Sequence, residues 1–140
     1  IDQLMKLNLS VVTRSSNKSI NQNTDIFLVD TYGESSTFFN LSNITFMGGS
    51  IVNRGGQNPL EPARLGNHII SGPNVYNFKE IYSFLNKNKM ALNSSNIETM
   101  RKIILKKLNK KAASKNKNKI LKIGNKILNK NISYLKMYFI

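Results

Sequence analysis

The chain has 140 residues, 40% of them hydrophobic, which is enough for one domain with its own core. It has no cysteine, which excludes disulfides, thiolate zinc and cysteine nucleophiles, and with a single histidine no protein-held transition metal and no cofactor are expected. The net charge of +14 is concentrated in the last third, and no apolar run reaches the roughly 18 residues of a transmembrane helix.

The first predicted elements are two strand-like runs, residues 9–14 and residues 26–29. A short loop follows the second run, and its Thr31 and Glu34 have the spacing of a helix capping box. The helix after this loop is predicted to turn three apolar side chains inward, namely Phe38, Phe39 and Leu41.

A third strand-like run, residues 44–47, ends abruptly at Gly48 and Gly49, and Gly55 and Gly56 repeat the diglycine one loop later. Because glycine has no Cβ, such pairs let backbone N–H groups approach an anion closely. This block therefore predicts a loop that can cradle a phosphate.

A helix start follows the glycines directly. Asn58 suits the N-cap position, Pro59 suits the first helical position, and Glu61 falls at the third, as in a capping box. A helix N-terminus carries free N–H groups and roughly half a positive charge, so it favours a bound phosphate.

The same pattern returns in residues 68–80. The single histidine, His68, opens an apolar strand and is interpreted as a packed or edge histidine rather than a base. A Gly-Pro loop follows, and Asn77 with Glu80 repeats the capping spacing before an apolar helix. Three strand-loop-helix units in series predict parallel strands whose loops share one sheet edge, where ligands bind in open α/β folds.

Four ordered blocks, residues 29–34, 46–50, 55–63 and 72–78, resemble 3-deoxy-D-manno-octulosonic acid (Kdo) transferases. The resemblance spans about residues 9 to 95 and implies an α/β fold, a Rossmann-like parallel sheet flanked by helices. It would be the incomplete C-terminal lobe of a two-lobed GT-B glycosyltransferase. The implied reaction transfers Kdo from CMP-Kdo to a lipid A precursor (lipid IVA), in the lipopolysaccharide biosynthesis of Gram-negative bacteria. The implied location is the cytoplasmic face of the inner membrane.

The resemblance also implies a donor-binding set: Tyr32, Gly33, Glu34, Gly48, Gly49, Gly55, Gly56, Gln57, Asn58 and Glu61. In it, residues 32–34 would contact the cytidine and phosphate, and Asn58 and Glu61 the ribose and phosphate. Gln57 stands where the family usually has histidine, so a neutral amide would replace an imidazole. Simpler roles stay open, since Glu34 and Glu61 could be only helix caps and Tyr32 a half-buried loop aromatic.

The family's acceptor site, membrane anchor and proposed catalytic base belong to its N-terminal lobe, so no residue of this chain is expected to be catalytic. We interpret residues 1–95 as a partial donor lobe and residues 96–140 as a basic helical segment that packs on or extends it. The chain is expected to be a C-terminal fragment or truncated product that does not transfer sugar alone. The alternative is a non-catalytic remnant or a basic membrane-surface module with the same fold.

The basic segment is predicted to form one helix over residues 97–111 and a second apolar stripe over 120–128, with a turn or frayed connector at 110–119. Residues 132–140 form a short apolar, aromatic piece. Three explanations of its lysines stay open: A/T-rich coding bias, attraction to anionic lipid, and nucleic-acid binding. Nucleic acid is disfavoured because no aromatic residues interrupt the lysine run for base stacking.

Overall fold

The computed structural model describes residues 1–108 and 114–138. Residues Ile1–Ser35 form one compact unit, and the residues from Ser36 onward form another. The first unit contains helix α1 (Asp2–Met5), strand β1 (Val11–Thr13), a 3₁₀ turn (Arg14–Ser16) and strand β2 (Ile26–Leu28). The two strands pair in parallel, with Val11 opposite Ile26.

The second unit is a parallel α/β layer. After helix α2 (Ser35–Leu41), which starts at the unit boundary, its elements are β3 (Ile44–Phe46), α3 (Leu60–Arg64), β4 (His68–Ser71), a 3₁₀ turn (Tyr76–Phe78), α4 (Lys79–Lys87), β5 (Ala91–Asn93), α5 (Ile97–Leu108) and α6 (Ser114–Lys136). Its sheet has the order β3-β4-β5 with both pairs parallel. The predicted α/β class with helices flanking a parallel sheet is confirmed.

The prediction that three loops share one sheet edge is wrong in one respect. Strand β2 pairs with β1 and does not join the three-stranded sheet, so only the loops after β3 and β4 leave the same edge of one sheet. The apolar pattern identifies a strand but not its partner, because pairing depends on residues far apart in the sequence.

The core of the second unit lies between β4 and α4. Ile69 of β4 is fully buried in this core, and α4 contributes Tyr82 and Leu85 at helical spacing. The predicted inward position of Leu41 is wrong, because this side chain is 78% exposed at the last position of α2.

Helix α4 ends in a Schellman motif. The Met90 N–H donates to the Leu85 carbonyl at 2.9 Å, and the Lys89 N–H donates to the Asn86 carbonyl at 2.9 Å. Lys89 occupies the left-handed position with φ of 59°, where glycine is usual because it has no Cβ.

The two predicted C-terminal helices are confirmed as α5 and α6, with different limits. Residues 114–119 belong to α6 and not to a turn, while residues 110–113 of the predicted connector lie outside the described residues. The predicted separate piece from residue 132 is mostly the end of α6, and residues 139 and 140 lie outside the description. The boundary proposed at residue 95 stays a prediction. No helix among the described residues is long and apolar enough to span a bilayer.

Candidate functional site

The loops that leave β3 and β4 are held together by Ser50, whose side chain is fully buried. Its hydroxyl donates to the Met47 carbonyl at 2.5 Å and accepts from the Gly72 N–H at 2.8 Å. Its carbonyl accepts from the Asn74 N–H at 2.9 Å. A Cβ on Gly72 would lie 2.3 Å from the Ser50 carbonyl oxygen, so glycine is required here. The small polar residue directly after the first diglycine was the overlooked signal for this contact.

The predicted glycines shape the loop between β3 and α3, which we call the glycine loop (residues 47–59). The Gly56 N–H donates to the Gly49 carbonyl at 3.2 Å, and Gly55 and Gly56 are buried whereas Gly48 is exposed. Gly55 has a φ of +81°, and a Cβ there would meet the Asn77 side-chain nitrogen at 2.3 Å. This loop is therefore folded on itself, with its second diglycine against the loop that follows β4.

The prediction that Asn77 caps α4 is wrong. The 3₁₀ turn Tyr76–Phe78 precedes α4, and no side chain caps this helix start. Instead, the Asn77 side-chain amide donates to the Arg54 carbonyl at 3.2 Å, and its N–H donates to the Gly55 carbonyl at 3.3 Å. Tertiary contact with the glycine loop has replaced the local capping bond.

The prediction that Asn58 is the N-cap of α3 is wrong by one residue, because Pro59 occupies that position and the helix starts at Leu60. The Asn58 side-chain oxygen accepts from the Leu60 N–H at 3.0 Å. Glu61 lies in the first turn and accepts from the Ser36 hydroxyl at 2.7 Å. Ser36, Glu61 and Leu121 of α6 are among the residues around an open cavity of about 510 Å³, so this carboxylate borders space for a ligand.

The side chain of Gln57 is exposed, whereas its backbone carbonyl accepts a hydrogen bond from a core residue. The Tyr82 hydroxyl donates to the Gln57 carbonyl at 3.1 Å. Burial raises the pKa of Tyr82 to about 12, so this hydroxyl stays protonated as a donor. Helical spacing predicts that Tyr82 lies on the core side of α4 but gives no signal for this contact.

A second open cavity, of about 440 Å³, lies at the start of α4. The turn Tyr76–Phe78 and the first residues of the helix, Lys79 to Ile81, surround it. With nine residues, α4 is longer than α3, which has only five. Of these two helices, which follow β3 and β4, α4 therefore gives the stronger helix N-terminus for an anion.

In the first unit, Glu34 is held by two side chains. The Thr31 hydroxyl donates to one carboxylate oxygen, and Arg14 forms an ion pair with the other at 3.1 Å. These two contacts, Thr31 first, hold the pKa of Glu34 below its usual range. The capping box is not formed as predicted, because α2 begins at Ser35 and the Thr31 bond joins two side chains. Arg14 was missed, although it directly follows β1, parallel to the strand before Glu34.

The rest of this loop is open. Tyr32 is fully exposed, which rules out the half-buried alternative, and nothing lies within 4 Å of a Cβ placed on Gly33. Beside them, the Ser15 N–H and hydroxyl donate to the Asp30 carboxylate at 2.9 and 2.5 Å, and these bonds lower the pKa of Asp30. The predicted donor-binding residues thus form two groups, residues 32–34 in the first unit and residues 48–61 in the second.

These features define a class of protein. The chain has parallel strands flanked by helices, and its joined loops lie at the carboxyl ends of β3 and β4, where ligands bind in open α/β sheets. This is the architecture of a Rossmann-like lobe. The fold matches the crystal structure of the C-terminal CMP-Kdo binding domain of WaaA from Acinetobacter baumannii, with a TM-score of 0.72 and 31% sequence identity. The match covers 76% of this chain and 56% of that domain. The chain therefore has the fold of the C-terminal lobe of GT-B glycosyltransferases.

The sequence matches identify the family. The chain is 40% identical over 84 residues to the 3-deoxy-D-manno-octulosonic acid transferase of Haemophilus influenzae, covering 60% of this chain and 20% of that protein. It is 31% identical over 137 residues to the Rickettsia typhi protein of the same name, covering 94% of this chain and 29% of that protein. The chain belongs with the C-terminal part of this transferase family. It spans a fifth to a third of the length of these relatives, and no protein-family model matches it.

Proposed function

We propose that this chain binds the sugar nucleotide CMP-Kdo as the donor-binding part of a Kdo transferase. The observation that carries the proposal is the fold match to a CMP-Kdo binding domain. The sequences are also 31% identical, so sequence similarity and fold similarity point to the same relative. The glycine loop and the loop after β4 are tied together at Ser50 and Asn77, so they present one preformed surface.

The described geometry supports a division of roles. The first turn of α4 offers N–H groups and the positive end of a helix dipole to the CMP phosphate. Glu61, which borders the cavity at α3, offers carboxylate oxygens to ribose hydroxyls. The chain's share of catalysis is then leaving-group stabilisation, because charge that develops on the CMP phosphate is met by fixed N–H groups. Gln57 supplies no proton to that phosphate, since its side chain is a neutral amide.

The reaction of the whole protein, on this proposal, is an inverting displacement at the anomeric carbon of Kdo, with the lipid A precursor lipid IVA as acceptor. On this proposal the acceptor-binding site and the catalytic base are formed by residues outside this chain. The chain alone is therefore expected to be inactive. Such an enzyme acts on an acceptor in the bilayer, which gives it a peripheral position at the cytoplasmic face of the inner membrane.

Calorimetric titration of the chain with CMP tests the donor site. We expect saturable binding that Glu61→Ala weakens about tenfold, because a charge-assisted hydrogen bond is lost. Glu98→Ala is the matched control, since Glu98 is an exposed carboxylate on α5 that pairs only weakly with Arg101 at 3.7 Å. Equal CMP affinity of the Glu61 variant and the parent chain would refute the ribose assignment, and absence of saturable binding would refute the donor site.

A second binding function is favoured by α6. Its residues 120–136 place apolar side chains on one half of the helix and lysines on the other, and most of both groups are exposed. Residues 114–138 contain no acidic side chain. A basic amphipathic helix of this kind favours an anionic membrane surface, where each lysine contributes about 1 kcal/mol.

Sedimentation with phosphatidylglycerol vesicles tests the membrane surface, with phosphatidylcholine vesicles as the neutral control. We expect binding to the anionic vesicles that weakens as salt rises and that falls further in Lys126→Gln/Lys130→Gln. Binding that salt and the double substitution leave unchanged would contradict the electrostatic mechanism.

A further inference from the structure

A cavity of about 490 Å³ lies at the edge of the sheet opposite the glycine loop. Among its lining residues, His68 is the first residue of β4, Lys89 precedes β5, and Lys106 and Lys107 lie in the last turn of α5. Leu92 and Ile103 form an apolar wall of this cavity. We call this the basic cavity. Because it lies at the amino ends of the parallel strands, the proposed donor site does not account for it.

The charge in the basic cavity is not balanced by protein groups. No acidic residue lines it, and within residues 1–108 and 114–138 none of its three lysines takes part in an ion pair. One conventional role for such lysines is to offset helix C-termini, and both α4 and α5 end here. Each terminus carries only about half a negative charge, so three ammonium groups exceed what two helices can offset.

Lys89 adds an independent observation. It holds the left-handed position of the α4 Schellman motif, where its Cβ makes the conformation less favourable than glycine would. The amide of Asn86, one turn earlier, also lines the cavity and donates to the Asn93 side chain at 2.8 Å. A strained backbone thus carries a cationic side chain in the lining of a cavity that two other lysines also line.

We propose that the basic cavity binds a phosphate monoester, with the lysines on the phosphate and the apolar wall against the rest of the ligand. Lysine ammonium groups are strong donors to phosphate oxygens, and a cavity of this volume holds more than one phosphate group. Two sources share this chemistry, a soluble phosphate ester and the head group of a lipid such as phosphatidic acid. The proposal does not depend on donor binding at the opposite sheet edge.

His68 provides a direct readout because it is the single histidine of the chain. Burial, and then the positive charge of Lys107, hold the pKa of this imidazole below its usual value. A bound phosphate would partly offset that charge and raise the pKa of His68. One-dimensional proton NMR therefore reports on the cavity through a single, unambiguous pair of imidazole signals.

The experiment titrates the full chain with inorganic phosphate at constant ionic strength set with chloride, and separately with dihexanoyl phosphatidic acid below its micelle concentration. We expect a saturable shift of the His68 signals and a higher pKa of His68 in the bound form. Tighter binding of the lipid than of inorganic phosphate assigns the ligand as a lipid head group, and equal affinity assigns a soluble ester. No saturable shift with either probe would overturn the proposal.

Variants separate binding from folding. Lys107→Gln and Lys106→Gln should each weaken phosphate affinity about threefold, whereas Lys102→Gln, an exposed lysine of α5 outside the cavity lining, should leave it unchanged. Lys89→Gly should raise the melting temperature, because it relieves the left-handed strain, and should weaken phosphate binding at the same time. Unchanged affinity in Lys89→Gly and Lys107→Gln would show that phosphate binds elsewhere and would overturn the proposal.

Discussion

Replacing Gly72 by alanine should disrupt the junction between the glycine loop and the loop after β4. The new Cβ would lie 2.3 Å from the Ser50 carbonyl oxygen and 2.8 Å from the Ile51 nitrogen, whereas ordinary contacts begin near 3.4 Å. Both clashing atoms are backbone, so no side-chain rotation relieves them, and the two loops must separate by about 1 Å.

That separation would lengthen two hydrogen bonds beyond useful range, the Gly72 N–H to the Ser50 hydroxyl at 2.8 Å and the Asn74 N–H to the Ser50 carbonyl at 2.9 Å. Each buried group left without a partner costs about 1–3 kcal/mol. We therefore expect the free energy of unfolding to fall by about 2–6 kcal/mol, a large part of the stability of a domain this size.

Urea denaturation followed by circular dichroism measures the loss, and calorimetry with CMP measures the accompanying loss of donor-site affinity. Gly124→Ala is the control, because nothing lies within 4 Å of a Cβ at this position in α6. Alanine in a helix interior should stabilise there by about 0.5–1 kcal/mol. A Gly72→Ala chain whose free energy of unfolding lies within about 0.5 kcal/mol of the parent's would refute the reasoning.

Three further predictions concern charge and burial. The folded pKa of Glu34 lies below its ordinary value of 4.5. The stability that ionised Glu34 contributes is therefore present above pH 4.5 and is lost as the pH falls through the folded pKa. Arg14→Gln should reduce this acid-dependent loss of stability in melting curves. The folded pKa of His68 is also lowered, from 6.5. As with Glu34, the unfolded chain takes up the proton first, so stability falls as the pH drops below 6.5, and His68→Gln should abolish that part of the slope. Asn67→Ala should lower the free energy of unfolding by about 1–3 kcal/mol, because Asn67 is only 1% exposed and its amide donates to the Phe39 carbonyl at 2.7 Å. Chemical denaturation that finds no loss of stability would contradict this role.

Local sequence signals located most elements of this fold. Strand-like runs ended at glycine or Asx residues, so β2, β3 and β4 were found within one or two residues, and helical spacing found α4, α5 and α6. The diglycines and Asn58 were placed correctly in the loop before α3 because their effects are local. The family followed from four ordered blocks, and the sequence matches confirmed it.

Other features depended on the partner that each residue meets. Thr31 and Glu34 have capping spacing, yet they bond side chain to side chain, and Asn77 binds the glycine loop and not its own helix. Their sequence spacing permits both outcomes, whereas the tertiary partners, Arg14 for Glu34 and the Arg54 carbonyl for Asn77, are distant in sequence.

The amino-acid sequence is sufficient to predict a parallel α/β lobe with a glycine-rich loop, a basic amphipathic C-terminal helix and membership of the Kdo transferase family. Only the folded chain shows that β2 pairs with β1, that Ser50 and Gly72 join two loops, and that three lysines and His68 surround one cavity. The two groups of features differ in how far apart in the sequence the interacting residues lie. Turns, caps and periodicity act over a few residues, whereas strand pairing, close backbone contact and charge clustering arise between residues that are distant in sequence.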